Sequence, residues 1–343
     1  MKVLLYGAGA TGARAGRQLL SNAAVEDLII VETDQTVADN AVLSYGSPAR
    51  VVKIPGQRTE TRLANFFDVV DGCDLVILSA EDDHEAFAEA ALRSGAHVVS
   101  TSDDVDVVED LIALDSIAHE MNKSMIVGAA FSPGFSCVLA KHGVRKMDRV
   151  DEVHVARMGT GGPSCARQHH RSLRNDALNR VDGEWVTARG GSGRELFWFP
   201  DPVGGLDCYQ ASLPEPLLLH DAFPQASRIT ARLAATRRDR STKWLPMLRK
   251  PHPEGLLGAV RVELRGTHEG RAETRVYGAL DRPAVAAGTV AAVAGIWAVR
   301  VAYARSGAGS LGVLVDDTAA FLKDLSTCGV RAAVFEGHTS SHG

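Results

Sequence analysis

Residues 156–176 read ARMGTGGPSCARQHHRSLRND, the densest gathering of groups able to do chemistry in the chain. Pro163 suits a helix start after Gly159, Gly161 and Gly162, so Cys165 and His169 fall one turn apart on a helix face. His169 and His170 are candidate catalytic residues, because an imidazole titrates near neutrality and can take a proton from an amine. Arg157, Arg167, Arg171 and Arg174 concentrate positive charge in a chain of net charge −5. A guanidinium fork grips a carboxylate bidentately, so Arg157, Arg167 and the nearby Cys165 are candidate substrate-binding residues. The competing reading is one buried, hydrogen-bonded histidine among solvated arginines. Adjacent histidines on a helix point about 100° apart and rarely share an ion, so no metal is expected.

A second nucleophile stands in VGAAFSPGFSCVLA, residues 127–140. Cys137 follows the Pro133–Gly134 turn in the first turn of a helix, where the dipole lowers a thiol's pKa. It would suit a semialdehyde dehydrogenase in which a thiolate attacks an aldehyde and hydride leaves the thiohemiacetal. A buried thiol acting as a small hydrophobe is the simpler account.

These groups need elements to position them. The chain opens VLLYGAGATGARAG, with Gly7, Gly9 and Gly12 placed between an apolar run and a helical stretch. In that setting Gly7 makes a tight turn, Gly9 lets backbone approach a pyrophosphate, and Gly12 brings helix and strand close. Ala10 and Thr11 lie at the helix N-terminus, whose free amides favour the anion. Glu32 falls twenty positions after Gly12, where a carboxylate accepts hydrogen bonds from an adenosine ribose and repels a 2′-phosphate. The cofactor expected is NAD or NADP, with NAD favoured; Asp34 is the alternative ribose ligand. Ser79 and Ala80 end another apolar run and let a cofactor pass the sheet edge, and Ser132, Pro133 and Gly134 are placed at its nicotinamide end.

Apolar runs at 3–6, 28–31, 75–78, 97–99 and 125–127 alternate with helical patterns, the signature of a parallel sheet covered on both faces. Beyond residue 130 the pattern changes: 151–159 alternates as a half-exposed strand, and 258–281 reads as a hairpin turning near His268, Glu269 and Gly270. The expectation is an α/β protein, with an N-terminal Rossmann doubly wound parallel sheet and a second mixed α/β substrate and dimerisation domain. Residues 1–130, completed by 283–335, form the first domain, and 131–282 the second.

The chain's 343 residues, 45% apolar and 23% charged, suffice for two packed cores. Its mild acidity gives no reason to expect a nucleic acid or a membrane and leaves small molecules or proteins; the clustered arginines suit a small-molecule substrate bearing a carboxylate, and a homodimer is expected. The five cysteines are scattered without a CxxC pair, so reduced thiols and a cytoplasmic location are expected. The alanine-rich run 283–304 reads as a buried helix. None of the five tyrosines has a lysine four residues on, which argues against a short-chain dehydrogenase.

SGAHVVSTSDD at 94–104 and the Pro-Gly turn, taken with the opening glycines, resemble the saccharopine dehydrogenase family in its broad sense. That family includes saccharopine reductases, lysine 6-dehydrogenase-like proteins and carboxynorspermidine-type dehydrogenases. The matching positions are His97, Ser100, Thr101, Ser102 and Asp103, then Pro133, Gly134 and Phe135; Ser100 stands where relatives often carry Asp. The resemblance implies an NAD(P)-dependent oxidoreductase moving hydride at a C–N bond of a carboxylated amino-acid-like or polyamine-like substrate. A dinucleotide-binding sensor or regulatory subunit without turnover is the reading from a different class.

Overall fold

The early apolar runs are buried on both faces, as a sheet sandwiched between helices requires. The computed structural model describes residues 1–45, 50–53, 59–81, 83–247, 251–300, 303 and 305–335. The first part contains β1 (Lys2–Tyr6), α1 (Ala10–Leu20), β2 (Asp27–Glu32), α2 (Gln35–Tyr45), β3 (Arg50–Lys53) and α3 (Thr59–Val70). It continues with β4 (Leu75–Leu78), α4 (His84–Arg93), β5 (His97–Ser100), α5 (Val105–Ala113), α6 (Asp115–Glu120) and β6 (Ser124–Ile126). The second part runs through α7 (Phe135–Gly143), β7 (Arg149–Met158), α8 (Pro163–Ser172), β8 (Ala177–Val181), β9 (Glu184–Ala188), β10 (Glu195–Phe199) and β11 (Gly204–Tyr209). Then come α9 (Glu215–His220), β12 (Arg228–Ala234), α10 (Arg237–Thr242), β13 (Gly258–His268) and β14 (Arg271–Asp281). The chain closes with α11 (Pro283–Arg300), β15 (Gly307–Gly309), α12 (Leu311–Leu314), α13 (Thr318–Thr327) and β16 (Ala333–Phe335).

The first sheet is parallel throughout, in the order β15-β6-β5-β4-β1-β2-β3. This is the doubly wound 3-2-1-4-5-6 arrangement with one strand added, and its switch point lies between β1 and β4, where ligands bind at the carboxyl ends. The second sheet is mixed, in the order β10-β11-β12-β7-β13-β14-β16, with β8 and β9 joined at β12. Its hairpin turns on Glu269 and Gly270, both at positive φ, as a two-residue turn of matching twist needs.

α11 is long and apolar enough to cross a membrane, yet 78% of that window is buried inside the protein, packed along α1. Gly288 lets the two helices approach closely: a Cβ there would fall 2.6 Å from the Ala15 nitrogen and from the Thr11 carbonyl oxygen. The final strand is a correction to the expected layout. β16 pairs antiparallel with β14 of the second sheet, whereas the tail's contribution to the first sheet is β15, which follows β6.

Candidate active site

The glycine loop is shaped for a dinucleotide. A Cβ on Gly7, which sits at φ +92, would fall 2.5 Å from the Ala80 nitrogen, and one on Gly12 only 1.9 Å from the Gly7 carbonyl. Gly9 has nothing within 4 Å on its open side, leaving room for a pyrophosphate. The first turn of α1 carries no side-chain cap and no acid, so its amides face an incoming anion. Glu32 ends β2 and braces the loop: Oε2 accepts from the Ala8 amide at 2.7 Å, and Oε1 from the Thr33 and Asp34 amides at 2.8 and 3.1 Å. Asp34, the alternative ribose ligand, is spent as a helix cap, its Oδ1 accepting from the Thr36 and Val37 amides. These residues fit a nicotinamide dinucleotide.

Beside this cradle lies a cleft of about 130 Å³ that Thr11, Ser79 and Ala80 share with Ser132, Arg157, Cys165 and His169. The Ser79 hydroxyl is buried with no hydrogen-bond partner among the described residues. Asp103 enters from the turn after β5, which local bonds hold: the Ser102 amide donates to Ser100 Oγ at 3.2 Å, and Asp104 caps α5. Cys165 and His169, four apart on α8, present one face to it, and the three ligating atoms lie within 4.8 Å of one another. His169 Nε2 is 3.8 Å from Asp103 Oδ2.

Arg157 comes from β7 at the middle of the second sheet and is almost fully buried. Its guanidinium meets Asp103 Oδ2 at 2.9 Å, lies 3.6 Å from Glu215 Oε1, and donates to the Ser132 carbonyl. Ser132 Oγ donates to Glu215 Oε1 at 2.6 Å. Burial, then the Arg157 charge, hold the His169 imidazole well below its ordinary value, so the ring is neutral. Burial raises the Asp103 carboxyl, against the pull of Arg157. The Cys165 thiol is pushed up to about 12 by burial, with the Asp103 charge adding to it. Arg157 on the shared carboxylate opposes a divalent cation in this cluster.

Several expected roles are corrected by this geometry. His170, turned about 100° from His169, bonds through Nε2 to the Leu245 carbonyl at 2.8 Å and does not line the cleft. Arg157 is committed to internal carboxylates and is not free to anchor a substrate's. Arg167 does not line the cleft and is neutralised by Glu81, which does line it and also pairs with Arg171 at 3.3 Å. Cys137 is fully buried, and desolvation pushes its thiol up to about 12, overriding the helix terminus. This environment disfavours a thiolate at Cys137. Pro133 and Gly134 do not line the cleft but shape the turn that presents Ser132, with the Pro133 carbonyl accepting from the Ala130 amide at 2.9 Å. Ser100 is a structural residue: it is fully buried, its hydroxyl 2.7 Å from His84 Nδ1.

Asp103 was legible only as a motif position, and Glu215 was missed altogether. The signal for Glu215 was an acid standing in the apolar run LPEPLLL, which argues for a buried partner.

No protein-family model matches the chain. Among solved structures, the apo saccharopine dehydrogenase (L-Glu forming) from Saccharomyces cerevisiae superposes with a TM-score of 0.71 at 14% identity, over 97% of this chain and 99% of that one. An engineered D-amino acid dehydrogenase bound to NADP+ gives a TM-score of 0.51 at 12% identity, over 93% and 95% of the two chains. The chain thus has the two-sheet α/β fold of these dehydrogenases. In fold it is similar to saccharopine dehydrogenase.

Proposed function

We propose that the protein is an NAD(P)-dependent dehydrogenase or reductase of the CH–NH type, acting on a carboxylated amino-acid-like or polyamine-like substrate. One observation carries this reading: the dinucleotide cradle and the Asp103–Cys165–His169 cluster open into a single cleft. When bound, the dinucleotide supplies the hydride acceptor or donor. Proton handling then falls to the protein. Neutral His169 takes a proton from the amine as its carbon loses hydride, and Asp103 at 3.8 Å steadies the imidazolium that forms.

With Arg157 buried, the substrate carboxylate falls to Arg171, which is half exposed on the cleft wall, steadied by Gln168 at 2.9 Å and paired with Glu81 at 3.3 Å, so that a carboxylate bound there takes the place of Glu81. The Glu32 charge favours NAD over NADP. Leu196 and Trp198, 57% and 65% exposed on the outer strand β10, support a homodimer built on that edge.

The test is to titrate the protein with NADH and NADPH, then follow nicotinamide absorbance with pooled amino acids, polyamines and the matching semialdehydes. Turnover with an amino compound, lost in His169→Gln, supports the proposal. Aldehyde oxidation abolished by Cys137→Ser, or tight cofactor binding with no turnover across the pools, counts against it.

A further inference from the structure

Away from the cleft, the turn 189–192 between β9 and β10 faces α10 and Lys243 across a shallow depression. Arg189, Arg237, Arg240 and Lys243 line it, with Ser192, Ser241 and the Gly190–Gly191 backbone, and no acidic side chain contributes. Lys243 is only 8% exposed, yet its ammonium has one acceptor, the Gly190 carbonyl at 2.6 Å. Among the described residues no carboxylate lies within ion-pair distance of it. Arg189 and Arg240 both bear on it electrostatically, and Asp176 opposes them from beyond ion-pair reach. The Arg240 guanidinium lies 4.0 Å over the Tyr209 ring, with Nε buried and without an acceptor among the described residues. A buried ammonium and a buried guanidinium nitrogen with donors to spare, in a chain of net charge −5, indicate a missing anion.

We propose that Arg189, Arg237, Arg240 and Lys243 form a second ligand site, one that binds a phosphoryl group. Four cations are more than a single carboxylate can satisfy. A phosphate monoester carries about 1.5 to 2 negative charges at neutral pH and presents three acceptor oxygens; inorganic phosphate carries about 1.5 and presents four oxygens. Arginine forks match two of them, and lysine serves as a point charge. Lys243 also borders a groove lined by Arg167, Arg171, Arg174 and Trp244, and Arg171 belongs to the cleft as well. The phosphoryl group is therefore either a free ion or the remote end of a larger ligand reaching toward the cleft. The site stands independently of the reaction proposed above.

The experiment uses the whole protein, with inorganic phosphate exchanged for chloride at constant ionic strength so that screening stays fixed. Calorimetry is expected to show saturable phosphate binding, with a Tm that rises to a plateau. Lys243→Met, which removes the buried charge, is expected to melt in chloride no lower than the parent and to lose the phosphate response. Arg240→Gln is expected to lose it too. Should Lys243→Met fail to fold, Arg189→Gln and Arg237→Gln, both on the exposed rim, are each expected to weaken phosphate binding several-fold. Phenyl phosphate binding as tightly as inorganic phosphate marks a group carried on a larger molecule; inorganic phosphate alone marks the free ion. NADH affinity is expected to stay unchanged in every variant, which separates this site from the dinucleotide cradle. No saturable binding, or an undiminished response in all the folded variants, overturns the proposal.

Discussion

Arg157 of β7 and Asp103 of the turn after β5 meet at 2.9 Å, which ties the centre of the second sheet to the carboxyl edge of the first. The pair forms the floor of the cleft: Asp103 faces Cys165 and His169, while Arg157 reaches on to Glu215 and the Ser132 carbonyl. Because the guanidinium is buried, its charge is felt by His169 with little screening, and it helps keep that ring neutral.

Removing the cation leaves two carboxylates stranded. Arg157→Met is expected to destabilise the fold by about 3–5 kcal/mol, the range for breaking a buried ion pair from one side. Arg157→Lys should recover little, since a point charge cannot serve Asp103, Glu215 and the Ser132 carbonyl from one position. Urea unfolding measures both. A rise in KM with an unchanged unfolding midpoint would instead restore Arg157 as a substrate anchor.

His169→Gln is expected to lower kcat by about 10²–10⁴, the usual worth of a general base, and to leave NADH affinity unchanged. The pH dependence follows from the direction of the shift. Burial and Arg157 depress the imidazole below 6.5, so the base form already dominates there and the acid limb of the rate profile lies lower still. A limb centred at or above 6.5 would remove His169 from the role.

Much of this was readable beforehand, for physical reasons. The parallel sheet announced itself because strands buried on both faces are apolar throughout, and the glycine loop because each glycine answers a close approach of backbone. Cys165 and His169 were paired by helical spacing alone. What stayed hidden was the company a side chain keeps: Arg157 reads as a free cation until Asp103 and Glu215 arrive from 54 residues before it and 58 after it. β3, RVVK, is short and charged at both ends, and β16 is too short to declare which sheet it joins.

His97 makes a separate prediction about stability. It lies at the start of β5, away from the cleft, and its Nδ1 accepts from the Ser124 amide at 3.1 Å, a bond that protonation destroys. Burial, with Lys123 adding to it, holds its folded pKa at about 4, against an ordinary 6.5. Between those values the unfolded chain binds a proton that the folded chain refuses, so stability is complete above 6.5 and falls as pH drops toward 4. Urea midpoints taken across this interval should decline, and His97→Asn should flatten the slope. An equal slope in that variant would assign the effect elsewhere.

Thiol chemistry separates the two reaction classes directly. Cys73, Cys137 and Cys208 are buried, so a disulfide reagent applied to the native protein should leave all three unmodified until denaturant is added. Cys137→Ser should keep full turnover with an amino substrate. Rapid native labelling of Cys137 would reopen the aldehyde mechanism.

Gly9 and Gly12 should fail differently when given a methyl group. Gly9 has φ −62 and ψ −166, a conformation open to any residue, and its Cβ would meet no atom within 4 Å. Gly9→Ala should therefore fold with a stability within about 0.5 kcal/mol of the parent. Its methyl nevertheless projects where a pyrophosphate must approach, so NADH affinity should drop by about tenfold or more. Gly12→Ala instead drives a Cβ to within 1.9 Å of the Gly7 carbonyl, and the helix has to move off the strand. That overpacking should cost about 1–3 kcal/mol and weaken NADH binding as well. Thermal melting and calorimetric titration of the two variants distinguish the cases, and a Gly9→Ala protein that binds NADH as the parent does would place the pyrophosphate somewhere other than this loop.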